Sequence, residues 1–375
     1  MRNRRPSTRC LLALVVTGLL AASACATNKK DTSDGSGKHP GGGKVIPPAS
    51  VKRSTTTSRA SGPTTSPGSA PAAKGSKVAP PGSYAVGTLQ KTYVDRTRKT
   101  QANGTAAEKP ERTLPTLVLY PARGKPGFET STENAKAQPG PWPLVVFSHG
   151  VTGKGSDYAT TLRVIVSAGY VVIAPNYPLS NRDAKEHPSI TDVPEQTRDI
   201  AFLIDQLLSA DKHAGSPLTG LIDPDRIGIA GHSLGAITSL GAGYNACCAD
   251  RRISAVAEWA GIFFPLESGG KVAPVARNRP LLILHGNQDG TVPYRSGQEV
   301  YRLLGPPKYF ITLPGAGHIP PYLQGVGVPQ SKVVTLATID FFDRYLKGDK
   351  AGITRLHKVV TDAGKANATE QEQAA

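Results

Sequence analysis

Between about residues 114 and 347 the chain alternates two kinds of hydrophobic pattern. Short unbroken apolar runs, such as LVVF at 144–147 and LLIL at 281–284, carry no polar alternation. Such runs read as strands buried on both faces, the signature of a parallel sheet. Longer stretches between them repeat apolar residues at three- and four-residue spacing and read as helices. The pattern predicts strands at 116–120, 144–148, 170–174, 226–230, 253–259, 281–284 and 309–313. It predicts helices at 156–168, 194–209, 236–243, 296–304 and 331–346. Strands that alternate with helices imply an α/β fold with a doubly wound, mostly parallel sheet. About twenty residues separate the strand ending near Trp259 from the next, too few for a large cap domain. Residues 83–349 are thus expected to form one domain with a sizeable core.

The ends of the chain have another character. Arg2, Arg4, Arg5 and Arg9 precede an apolar run at 11–22, followed by Ala22-Ser23-Ala24-Cys25. This predicts an export signal over residues 1–25. Cys25 directly after a small residue fits a lipobox, with the sulfur carrying a lipid on the outer face of the cell membrane. Cleavage at the Ala-x-Ala-like triplet would instead release a secreted protein. The apolar run is short for a membrane-spanning helix. Residues 26–82 are rich in Ser, Thr, Gly, Pro and Lys and read as a flexible tether. Residues 350–375 read as a polar C-terminal tail. Of 44 Lys+Arg and 28 Asp+Glu, 13 and 2 fall before residue 83, so most of the +16 net charge lies outside the domain. That balance suits an anionic lipid or wall polymer. No nucleic-acid-binding module accompanies it.

The candidate chemistry lies at strand ends. Gly231-His232-Ser233-Leu234-Gly235 joins a buried strand to a helix. Gly-x-Ser-x-Gly in that context is a nucleophile elbow, which lifts a serine hydroxyl over a helix N-terminus. Asp289 follows the strand at 281–284, within HGNQDGTVP, and His318 follows the strand at 309–313, within GAGH. In this order Ser233, Asp289 and His318 suit nucleophile, orienting acid and general base. The amides of Leu234 and Val151, the latter in the HGVTG loop at 149–153, are the expected oxyanion donors. His149, His232 and His285 read as loop-ordering or packing residues. Phe263, Phe264, Val292 and Ile319 are candidate pocket residues. Cys247 and Cys248 are adjacent, and in an exported protein could form a vicinal disulfide or stay reduced. Neither a metal site nor a cofactor is expected. Oligomeric state is not legible.

From Leu114 to Lys347 the chain resembles bacterial α/β-hydrolases of the esterase/lipase type. The string from LPTLVLYPA to GPWPLVVFSHGVTG is similar to the platelet-activating-factor acetylhydrolase-like and chlorophyllase-like branch. GHSLGA, HGNQDGTVP and GAGH carry the resemblance. Cutinase-like polyester hydrolases and dienelactone hydrolases are neighbours. The latter use a cysteine nucleophile, which Ser233 argues against. Polyester hydrolases tend to carry an aromatic residue where Val151 stands. The resemblance implies a serine esterase that acts on small-molecule or lipid esters through an acyl-enzyme. A core without a cap leaves little enclosed apolar volume for a long acyl chain, so short acyl chains are expected. A lipase, a polyester hydrolase, an acyltransferase or a non-catalytic ligand-binding lipoprotein are the alternatives.

Overall fold

The computed structural model describes residues 78–374, except 185–187, 265, 267–272, 274 and 275. The signal segment, Cys25 and residues 26–77 of the tether lie outside the described residues. Ten strands form one sheet: β1 (Ala85–Asp95), β2 (Arg112–Ala122), β3 (Thr132–Glu133), β4 (Trp142–Ser148), β5 (Val171–Pro175), β6 (Ile222–His232), β7 (Ile253–Trp259), β8 (Leu281–Gly286), β9 (Lys308–Leu313) and β10 (Thr369–Gln373). Their order is β10-β9-β8-β7-β6-β4-β5-β2-β1-β3. The strands from β5 to β9 run parallel. On the flanks β2 pairs antiparallel with β1 and β5, and β10 with β9, while the two-residue β3 pairs parallel with β1.

The helices are α1 (Ala159–Ser167), entered through a 3-10 turn at Gly155–Tyr158, α2 (Val193–Lys212), α3 (Leu234–Tyr244), α4 (Tyr294–Leu303), the short α5 (Pro320–Leu323), α6 (Pro329–Leu346) and α7 (Gly352–Ala363). They cover both faces, and strand parity sorts the core accordingly. Val145 and Phe147 of β4 and Leu282 and Leu284 of β8 pack with α1, α6 and α7. Leu144, Val146, Leu281 and Ile283 pack on the other face with residues of α2, α3 and α4. This two-sided burial is why the central strands read as unbroken apolar runs.

Two regions depart from the pattern reading. β1 escapes the apolar pattern because its sequence, AVGTLQKTYVD, carries Gln and Lys among its apolar positions, and it is only half-buried. The C-terminal segment read as a polar tail instead forms α7 and β10. Leu356 and Val360 are buried against α6, with Ile353 and Val359 beside them. Arg355 ties α7 to Asp340, Asp343 and Asp349 at 2.7, 2.9 and 2.5 Å. β10, TEQEQ, has no apolar signal, and joins the sheet edge through its backbone pairing with β9.

An ion-pair network clamps the N-terminal hairpin to α2. Arg112 is fully buried and donates to both oxygens of Asp199, at 2.8 and 2.5 Å, and of Asp192, at 3.0 and 2.9 Å. Burial pushes the Asp192 carboxyl up to about 6, against the pull of Arg112. Removing the cation would strand the Asp192 carboxylate in the interior and leave Asp199 with Arg98, at 2.6 Å, as its partner. Arg112→Met should therefore cost roughly 3–5 kcal/mol of stability. Urea unfolding checks this, and an unchanged midpoint would refute it.

Candidate active site

The elbow is built by steric exclusion. Ser233 sits at φ 56°, ψ −120°, between β6 and α3, a conformation costly for a non-glycine residue. Its amide donates to the Trp259 carbonyl at 2.9 Å, which locks the turn to β7. A Cβ on Gly231 would stand 2.2 Å from the Gly235 oxygen, and one on Gly235 would stand 2.0 Å from the Ser148 oxygen. Gly231 is thus required by backbone contact across the turn, and Gly235 by the close approach of the end of β4. Ser233 keeps its hydroxyl at the start of α3, where unpaired amides and the helix dipole favour negative charge.

Three side chains form one hydrogen-bonded row. The Ser233 hydroxyl lies 2.8 Å from His318 Nε2, and His318 Nδ1 lies 2.6 Å from Asp289 Oδ2. Asp289 leaves the end of β8, and His318 lies beyond β9 on the loop into α5. Asp289 is also braced from behind. Its Oδ1 accepts the amides of Thr291 and Val292, both at 2.8 Å, and His285 Nε2 stands 3.5 Å from Oδ2. Burial alone would raise the Asp289 carboxyl. The hydrogen bonds from His285 and His318, the charge of His318 and the Val292 amide outweigh it and hold the group well below the usual carboxylate range. Asp289 therefore stays ionised at neutral pH, ready to orient and charge-stabilise an imidazole.

The loop after β4 faces the elbow. Neither the Val151 nor the Leu234 amide donates to an acceptor among the described residues. Thr152 is held at φ 64° with its amide on the Ser180 carbonyl at 2.8 Å. His149 Nδ1–H donates to the Gly150 carbonyl at 2.7 Å, and its Nε2 accepts the Tyr177 amide at 3.1 Å. Burial lowers its pKa to about 4, so the ring is a neutral loop brace. Tyr158 and His232, which no sequence pattern singled out as a pair, are hydrogen-bonded at 2.8 Å.

The four candidate pocket residues separate. Phe264 packs with Leu234, Ile237, Ile190 and Ile262 in a small apolar cluster beside the elbow. Phe263, its neighbour, joins the larger core on the α2 side instead. Ile319 follows His318 and is 52 % exposed. Val292 serves through its backbone, its amide on Asp289 and its carbonyl accepting His285 Nε2–H at 3.0 Å. Cys247 and Cys248 form a vicinal disulfide past α3. Among the described residues no group of three or more His, Cys, Asp and Glu could hold a metal ion, and no helix is long and apolar enough to cross a membrane. A surface cavity of about 480 Å³ lies elsewhere, at the start of β1 and the end of β2, between Ala85, Ala122 and Lys125.

Residues 133–257 match the family model described as Chlorophyllase. Among solved structures, the chain is similar to a ferulic acid esterase from Streptomyces cinnamoneus. The TM-score is 0.56 at 23% identity, over 72% of this chain and 93% of that one. No curated protein matches the chain. The sheet order, the helices on both faces, the strained serine elbow and the structural likeness together give this chain the α/β-hydrolase fold.

Proposed function

We propose that this protein is a serine carboxylic-ester hydrolase working through an acyl-enzyme. The reading rests above all on the row of Ser233, His318 and Asp289, at 2.8 and 2.6 Å. Ser233 Oγ attacks the ester carbonyl carbon while His318 Nε2 takes its proton. The carbonyl oxygen becomes an oxyanion, held by the amides of Leu234 and Val151. His318 then protonates the leaving alcohol as the C–O bond breaks. Water, deprotonated by the same nitrogen, releases the acid and restores the serine. Asp289 fixes the imidazole tautomer throughout. The family match and the ferulic acid esterase likeness support an ester as substrate. The reading includes export, with Cys25 as the lipid anchor.

Val151, at 36 %, and Ile319, at 52 %, stand open beside the site, and the cluster around Phe264 offers one apolar wall. An acyl chain gains roughly 0.8 kcal/mol per methylene only where methylenes are enclosed. kcat/KM is therefore expected to peak at about two to six acyl carbons. A series of monomeric p-nitrophenyl esters, graded by acyl length and run with the full chain, tests this. Rates that climb through about twelve carbons would overturn the short-chain assignment.

A further inference from the structure

We propose that Tyr158 and His232 are positioning residues, forming a buried hydrogen-bond relay that holds the oxyanion loop, the elbow and the base loop in one register. The proposal rests on the functional reading above. The relay begins at the Gly150 amide, which donates to the Tyr158 oxygen at 3.2 Å. Tyr158 O–H lies 2.8 Å from His232 Nδ1, and His232 Nε2 lies 2.7 Å from the His318 carbonyl. Its direction is fixed by its ends. An amide can only donate and a carbonyl can only accept. His232 must then carry its proton on Nε2, and Tyr158 must donate to Nδ1. Each member thus has one role, and every bond is made only when all three loops are in place.

The ends are what give the relay its meaning. Gly150 precedes Val151, the proposed oxyanion donor. His232 precedes Ser233, and the accepting carbonyl belongs to His318 itself. Packing reinforces the register. The His232 ring centre lies 4.8 Å from that of His318 and 4.7 Å from that of Tyr322, and the Tyr158 ring is 4.6 Å from Phe147. Tyr158 and His232 are 4 % and 3 % exposed. Burial lowers the His232 pKa to about 3 and raises that of Tyr158, so neither changes protonation near neutral pH. The relay is a fixed strut rather than a proton path. Acyl transfer is sensitive to such a strut, because a displacement of about 1 Å can cost on the order of 10²-fold in rate.

The test compares full-length variants with wild type. Tyr158→Phe keeps the ring and removes the hydroxyl, and should lower kcat roughly 10- to 100-fold with KM within about threefold. His232→Leu should do at least as much. His232→Gln, which retains a donor in reach of the His318 carbonyl, should recover part of that loss. Because the pair acts as a unit, Tyr158→Phe combined with His232→Leu should fall no more than about threefold below the worse single variant. A purely structural role would instead lower the melting temperature and leave kcat per folded molecule unchanged. Wild-type kcat in folded Tyr158→Phe, or losses that multiply, would overturn the proposal. If Tyr158→Phe does not fold, equal kcat for His232→Gln and His232→Leu overturns it. If wild type hydrolyses no ester, the functional reading fails separately, and the relay is read from the rate at which a fluorophosphonate labels Ser233. Absence of labelling as well overturns both.

Discussion

Ser233→Ala is expected to lower kcat for ester hydrolysis by at least ~10⁴-fold, with the fold intact. The loss is large because no other hydroxyl shares the row with His318. The residual rate would reflect only the proposed oxyanion amides and substrate binding. Stability should hold or rise. The side chain is small, its loss opens little space, and the serine's one side-chain hydrogen bond among the described residues is to His318. The strained backbone remains, since alanine also carries a Cβ at φ 56°. Steady-state rates beside a thermal melt check both halves. Retained turnover would move the nucleophile elsewhere.

His318→Ala should lower kcat by at least ~10³-fold. In the proposed mechanism the imidazole has two jobs, deprotonating Ser233 and protonating the leaving alcohol, and no neighbouring group is placed to take over. His232 is the nearest imidazole, but both its nitrogens are engaged, with Tyr158 and with the His318 carbonyl. His285 lies behind Asp289 with Nε2 on the Val292 carbonyl. Asp289 should keep its position in this variant, because the Thr291 and Val292 amides and His285 still hold it. A burst measurement separates acylation from turnover, and both steps should slow. A near-wild-type rate would assign the base to another residue.

Much of this was legible in the chain because the governing physics is local. The bounds of β7, 253–259, are legible because the run is mostly apolar, although it also carries Ser254 and a buried Glu258. Ser233, Asp289 and His318 were legible because strand ends deliver them to one edge of the sheet in a telling chain order. β1 and β10 were not, since a half-buried strand and an edge strand owe their place to backbone pairing with β2 and β9. α7 is hidden by its charged residues, of which Arg355 pairs with acids of α6 and the following turn, while Lys358 and Asp362 pair with each other at the surface. The Tyr158–His232 relay spans elements far apart in sequence. No spacing rule brings a tyrosine of a 3-10 turn to a histidine of the elbow. Phe263 and Phe264 looked equivalent as a pair, yet only Phe264 packs beside Leu234.

The most direct test of the central claim is covalent. The full-length chain is treated with a fluorophosphonate, digested and mapped by mass spectrometry. A single stoichiometric adduct on Ser233, formed in step with loss of ester hydrolysis and absent from Ser233→Ala, is the predicted result. An adduct at another residue, or full ester hydrolysis by a chain already labelled at Ser233, would contradict it.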